Sequence, residues 1–295
     1  MTIPARVRRS TGRHALVDGV PFKLPVDMTD TPALFAAFTI DADCAAAMLP
    51  GDEVHPIRLP GGRGLLIFTV IDYKATDIGK YIEYSIGIAC THGPRPSNPL
   101  LALVRGRVGQ FVIELPVSSE VSVKGGKGIW GMPKYQAYLE FDQDSKRVAS
   151  RYFLDGQLGV DVEIKKPRFN GIPVVAGASN YCRFRGMLMK SNVHFRGRIG
   201  INLPFTRSGR VIVGDHPHVA PLKALDIAAK PLFTAFLANM VGTLDDHVES
   251  WFLSYEQPPT ADPEGLESVV GLGRSEDWLT SPTDVPVAGP SDMPS

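Results

Sequence analysis

Gly64-Leu65-Leu66-Ile67-Phe68-Thr69-Val70-Ile71-Asp72 is the run on which the fold turns. Large apolar side chains occupy both parities, so a strand here hides both of its faces from water. Tyr81 to Cys90, the next apolar run, alternates instead. Ile82, Tyr84, Ile86 and Ile88 fall on one side, while Tyr81, Glu83 and Ser85 fall on the other. The second side carries a carboxylate, and it faces either solvent or a pocket.

Working outward, strands are expected at Ala33 to Ile40, Leu101 to Arg105, Gln110 to Val117, Tyr135 to Asp142 and Ala149 to Leu154, and again at Val160 to Lys165, Tyr181 to Met187 and Val211 to Gly214. Turn residues such as Asp155-Gly156 and Ser208-Gly209 separate them at the short spacing of antiparallel structure. Asp41 or Asp43 caps a short helix through Cys44 and Met48, which Pro50-Gly51 stops. Three- and four-residue apolar steps predict helices over Leu222 to Ala229, Leu232 to Val241 and Leu244 to Leu253. The expected class is α+β, a mainly antiparallel β-barrel or sandwich-like core covered by a few helices.

The chain has 295 residues, 44% of them hydrophobic and 21% charged, a globular composition with room for a sizeable core. Residues 1–24 read as a polar arm and 25–256 as a single domain. Residues 257–295 hold seven prolines and seven Asp/Glu against one Arg274. Such a tail has too little apolar surface to offset ordering entropy and is expected to be disordered or extended. Lys+Arg and Asp+Glu are both 31, which gives no footprint of a nucleic-acid binder. No apolar stretch reaches the length of a membrane helix, and the Arg-rich start lacks a signal-peptide core. Cys44, Cys90 and Cys182 form no CxxC pair or disulfide framework, which fits a reducing cytoplasm.

Chemistry concentrates in Lys124-Gly125-Gly126-Lys127-Gly128-Ile129-Trp130-Gly131-Met132-Pro133-Lys134-Tyr135. Four glycines and a proline predict a constrained loop holding Lys134 beside Ile129, Trp130 and Met132. An amine attacks a carbonyl only when neutral, and apolar burial disfavours the charged form of such a group. The blander possibility is an exposed lysine, the usual state of that residue. Gly126 to Gly131 also matches G-x-G-x-x-G behind a possible strand, Glu120 to Val123. That fingerprint requires a helix to open directly after it, and Pro133 opposes one.

Other clusters are weaker. Asp215-His216-Pro217-His218 offers three potential metal ligands but reads more simply as a surface turn. Cys90 near His92 reads as a small buried filler. Arg183 and Arg185 share a parity and form a polar strand face. HExxH, Walker, GxSxG and EF-hand motifs are missing from the sequence.

Gly126 to Lys134 resembles the G-R-E-x-x-G-[YF]-P-K-K segment of the acetoacetate decarboxylase family. Asp41-Ala42-Asp43 through Leu49-Pro50 resembles that family's early short helix, and Gly214 to Leu222 its late D-H-x-x-A-P-L segment. The three occur in the family's order over roughly residues 30 to 255. The resemblance implies a barrel-like α+β fold, a homo-oligomer, and a lysine forming a Schiff base with a small keto substrate without metal or organic cofactor. Acetoacetate decarboxylase is itself the standard illustration of an activated amine. Lys134 takes the imine role, Glu83 that of a pocket glutamate, and Tyr135 that of a proton or hydrogen-bond donor. Trp130, Met132 and Phe68 are expected around the substrate. Four departures stand out. Tyr135 replaces the second lysine, Lys127-Gly128 replaces Arg-Glu, and Phe68 lies where a second glutamate is expected. Thr31 lies where an orienting arginine is expected. These changes favour a larger, more apolar keto acid than acetoacetate. Aldol-type, dehydrating or cyclising chemistry on the same imine remains an alternative, as does a non-catalytic small-molecule binding protein.

Overall fold

The computed structural model describes residues 13–50, 53–95, 108–202, 204 and 206–254. In chain order the strands are β1 (Arg13–Val17), β2 (Val20–Leu24), β3 (Val26–Asp41), β4 (Val54–Pro56), β5 (Arg63–Tyr73) and β6 (Ala75–Thr76). They continue with β7 (Tyr81–His92), β8 (Gly109–Val117), β9 (Lys134–Gln136), β10 (Tyr138–Gln143), β11 (Arg147–Leu154) and β12 (Gln157–Lys165). The last are β13 (Ile172–Phe184), β14 (Met187–Asn202), β15 (Gly209–Val213), β16 (Phe233–Leu244) and β17 (Glu249–Phe252). Among the described residues the α-helices are Ala42–Ala47, Glu120–Trp130 and Ala220–Lys223.

Seven strands close a barrel in the order β7-β5-β3-β16-β14-β13-β8, because β8 pairs back with β7. Neighbours are antiparallel except β13 and β8, which run parallel. A second antiparallel sheet, β10-β11-β12-β15, packs on the barrel's outer surface. The expected fold class is therefore what the chain adopts.

The double burial of Leu65 to Ile71 has a simple cause. Leu66, Phe68 and Val70 join Phe38, Tyr84, Ile86 and Ile88 in the layer shared with Val148, Tyr152, Val160 and Ile164 of the small sheet. Thr69, Ile71 and Tyr73 point the other way, into the barrel. Phe68 meets Phe38 edge-on at 5.7 Å and lies in that outer layer, so it does not line the cavity as expected. Period-two alternation sends it opposite to Thr69.

Several expected elements take another form. The 13–24 half of the arm is the β1–β2 hairpin, seated by Phe22, which is 2% exposed. The expected helices over Leu232 to Val241 and Leu244 to Leu253 are β16 and β17. In β16, register shifts at Leu237/Met240 and Met240/Gly242 break the two-residue alternation and leave apolar steps of helical length. The 222–229 helix shrinks to Ala220–Lys223, and Glu120 to Val123 opens a helix where a strand was expected. Tyr181 to Met187 is not one strand but the end of β13, a turn at Arg185-Gly186 with φ of 53° and 74°, and the start of β14. Arg183 and Arg185 therefore share no strand face. The Asp41 cap forms as expected, its carboxylate accepting from the amides of Asp43 and Cys44. The Leu101 to Arg105 strand, the first half of the arm and the 257–295 tail lie outside the described residues.

Candidate active site

The segment from Lys124 to Trp130 is helix, not loop. Ser119 caps the helix by accepting from the Ser122 amide at 3.3 Å, and Gly131 ends it at φ 65°, a left-handed conformation suited to glycine. The amides of Gly131 and Met132 bond back to Lys127 and Gly126 carbonyls, turning the chain sharply into β9. Glycine is a poor helix former, so its presence here answers to packing. A Cβ on Gly125 would meet Phe22 at 2.7 Å, and one on Gly126 would overlap the Lys134 side chain. The G-x-G-x-x-G glycines thus lie on the last turns of a helix rather than ahead of one.

β9 is three residues long and runs parallel to β8, with Lys134 beside Leu115 and Tyr135 beside Pro116. Alternation points Lys134 into the barrel and Tyr135 out of it. Lys134 is 3% exposed, and its Nζ donates to Glu83 Oε2 at 2.6 Å and to Ser122 Oγ at 2.9 Å. The Tyr81 ring lies 5.4 Å from the same nitrogen. Glu83 reaches it because the side of β7 bearing Tyr81, Glu83 and Ser85 faces the barrel interior. Trp130 and Met132 line this cavity, as expected, and the indole N–H of Trp130 donates to the Asp245 carbonyl at 2.9 Å.

The cavity measures about 100 Å³. That is well above the roughly 10–15 Å³ needed to hold a single water. Phe35, Ile71, Val112, Met240 and Leu244 supply apolar wall, and Gln110 and Asn180, joined at 2.8 Å, supply an amide pair. Lys134 is the one cationic side chain among the described lining residues. Thr31, which lies where an arginine was expected, is fully buried and donates to the Met240 carbonyl at 2.6 Å.

Tyr135 sits outside the cavity, contrary to the expectation that it serves Lys134. Its hydroxyl donates to Glu114 Oε2 at 2.7 Å, and its ring meets His218 at 4.6 Å. Burial first, then the Glu114 charge, pushes the Tyr135 hydroxyl far above its usual range. His218 Nε2 lies 3.0 Å from the same carboxylate oxygen, and that hydrogen bond raises the histidine from 6.5. Asp215 pairs with Lys223, and His216 lies near Asp155, so the Asp-His-Pro-His ligands diverge. Among the described residues no three metal-ligating side chains converge. The three cysteines are free thiols; Cys90 and Cys182 are buried, and burial pushes Cys182 up to about 12.

Sequence reasoning missed Ser122, Tyr73 and Tyr81. Tyr81 shares the parity of Glu83, and that signal was present. Ser122 becomes visible only once the segment is read as a helix, where positions 122, 125 and 126 share one face. Tyr73 and Tyr81 stack at 4.4 Å, and burial, then the Glu83 charge, holds both hydroxyls well above their ordinary range.

A family model described as acetoacetate decarboxylase matches residues 6–167, more than half of the chain. The protein belongs to the acetoacetate decarboxylase family. A solved structure of acetoacetate decarboxylase is 14% identical, with a TM-score of 0.58 over 79% of this chain and 91% of that one. The acetoacetate decarboxylase of Legionella pneumophila subsp. pneumophila is 15% identical, with a TM-score of 0.54 over 83% and 90% of the two chains. The enduracididine biosynthesis enzyme MppR, complexed with the condensation product of pyruvate and imidazole 4-carboxaldehyde, is also 15% identical, with a TM-score of 0.56 over 77% and 88%. At these identities the likeness is one of fold. No curated protein matches the sequence. Among the described residues no helix is long and apolar enough to cross a membrane.

Proposed function

We propose that the protein is a Schiff-base-forming lyase that decarboxylates a β-keto acid through an imine on Lys134. The observation that carries this reading is the position of the Lys134 nitrogen, inside an apolar cavity and 2.6 Å from a carboxylate. Glu83 accepts a proton from the ammonium, and the freed amine attacks the substrate ketone. A second proton from the amine nitrogen and the one held by Glu83 leave with the carbonyl oxygen as water, giving an iminium and returning Glu83 to carboxylate. That cation draws the electron pair of the adjacent C–C bond, and CO2 departs. Ser122 holds the lysine in line. The substrate is a keto acid with an apolar body, because the walls offer it aliphatic and aromatic contacts and no second cation among the described lining residues.

One observation favours a second outcome for the same imine. A decarboxylase gains from a cation that orients the departing carboxylate, and no described residue supplies one beside Lys134. Condensation or retro-aldol cleavage, which need no carboxylate, fit the same walls. MppR, of like fold, is complexed with a condensation product.

Borohydride trapping with a panel of β-keto acids and ketones, read by peptide mass spectrometry, tests the imine. The expected result is adduct mass on Lys134 and none in Lys134→Met. Binding without adduct across the panel would leave a binding protein in its place. Measurement of CO2 release on substrates that trap then separates decarboxylation from condensation.

A further inference from the structure

An enamine left by C–C cleavage must take a proton at carbon, and the donor expected from the sequence, Tyr135, lies on the wrong face of β9. We propose that the stacked tyrosines Tyr73 and Tyr81 form the proton-transfer unit of the lysine site, with the Tyr73 hydroxyl delivering the proton to the substrate carbon. This rests on the imine reading above.

The pair is placed by register. Tyr73 and Tyr81 are directly opposed across β5 and β7, and Glu83 stands opposite Ile71, one inward position along. The rings stack at 4.4 Å with 20° between planes, and both line the cavity. Tyr81 lies beside the Lys134 nitrogen, its ring centroid 5.4 Å away, and lines the same cavity as Ser122. Tyr73 is the diagonal cross-strand neighbour of Glu83 on the same inward face, within side-chain reach. Lys134 bonds directly to Glu83 and Ser122, and the two phenols stand beside them on the same cavity wall. Packing alone accounts for two buried aromatic rings, but not for two phenols placed beside the Lys134–Glu83 pair on an otherwise apolar wall. Burial keeps both phenols protonated, as a donor requires.

The step balances. When CO2 leaves, the broken bond's electron pair forms the enamine C=C, and the C=N π pair returns to the Lys134 nitrogen. The enamine carbon takes the Tyr73 proton while Glu83, protonated from solvent, passes its own proton to the Tyr73 oxygen. Tyr73 ends neutral and Glu83 ends as carboxylate. Water then hydrolyses the iminium to ketone and free lysine. One solvent proton enters per turnover.

The proton step is measured without C–C cleavage by deuterium exchange into the α-positions of acetone and 2-hexanone in D2O, followed by NMR. Borohydride trapping of the same ketones runs in parallel. The wild type is expected to trap and exchange. Tyr73→Phe keeps the ring stack, so it should trap within about twofold of wild type while exchange falls about 100-fold, the scale of a lost general acid. Tyr81→Phe should lose less exchange, about tenfold. Exchange at the wild-type rate in Tyr73→Phe overturns the assignment. Equal loss of trapping and exchange also overturns it, since Tyr73 would then only support the site. A wild type that neither traps nor exchanges defeats the imine reading itself and this inference with it.

Discussion

Lys134 is held by what surrounds its stem as much as by what bonds its nitrogen. Gly126 lies so close to the lysine methylenes that no Cβ fits between them. Gly126→Ala should gain up to about 1 kcal/mol of helix propensity, offset by the overlap, so the protein should stay folded. The cost appears in chemistry: the displaced nitrogen should trap ketones at least about tenfold more slowly, in line with the sensitivity of reacting groups to small misplacement. Glu83→Gln removes the proton acceptor and keeps the shape, so trapping should slow about 100-fold, read from adduct yield against time. Tyr135→Phe is the control on the other face. It should trap at the wild-type rate and cost about 1 kcal/mol of unfolding free energy through the lost bond to Glu114, measured in urea.

At the scale of elements, the short strand β9 and the helix before it act together. Gly131 makes the turn between them, and a side chain there would need a left-handed backbone and would press on Phe184 at 2.8 Å. Gly131→Ala should destabilise by about 1–2 kcal/mol from the backbone alone, seen as a lower urea midpoint at unchanged slope. Its effect on trapping should exceed that of any equally destabilising change in β11 or β12, because Met132 to Lys134 hang from this turn. The glycines that suggested a loop are there for the lysine stem, Phe22 and the hairpin residue Val17, which lies 2.5 Å from where a Gly128 Cβ would be. Neighbours distant in sequence set that requirement. Likewise β16 looks helical by spacing because its register shifts are invisible until β3 and β14 are placed beside it.

The whole molecule divides into a reactive interior and a structural outer layer. Phe68→Ala opens a hole between barrel and small sheet and should cost about 3–5 kcal/mol, measured by denaturation. The fraction that remains folded should trap normally, since Phe68 lies away from the cavity. The outer cleft carries a pH signature. His218 titrates above 6.5 in the folded chain because it bonds to Glu114, so its stabilisation is present in acid and fades as pH rises through that raised value. Comparing His218→Gln with wild type, the melting-temperature advantage of wild type should be largest below pH ~6.5 and shrink as pH rises above it. A gap that instead grew with pH would mean the histidine is held neutral.

The sequence carried the mainly antiparallel barrel-or-sandwich class, the doubly buried strand over Gly64 to Asp72 and the parity that parts Glu83 from the aliphatic row of its strand; the family resemblance added the pocket role of Glu83 and the imine role of Lys134. The first three follow from parity and composition within a few residues, because alternation and turn residues are local signals. The sequence could not place Phe68 on the outer side, Tyr135 against His218, or Ser122 and Tyr73 beside the amine. Those depend on which strand lies next to which and on which face of the barrel meets the second sheet. Contacts between residues dozens of positions apart set those two facts, and local pattern does not encode them.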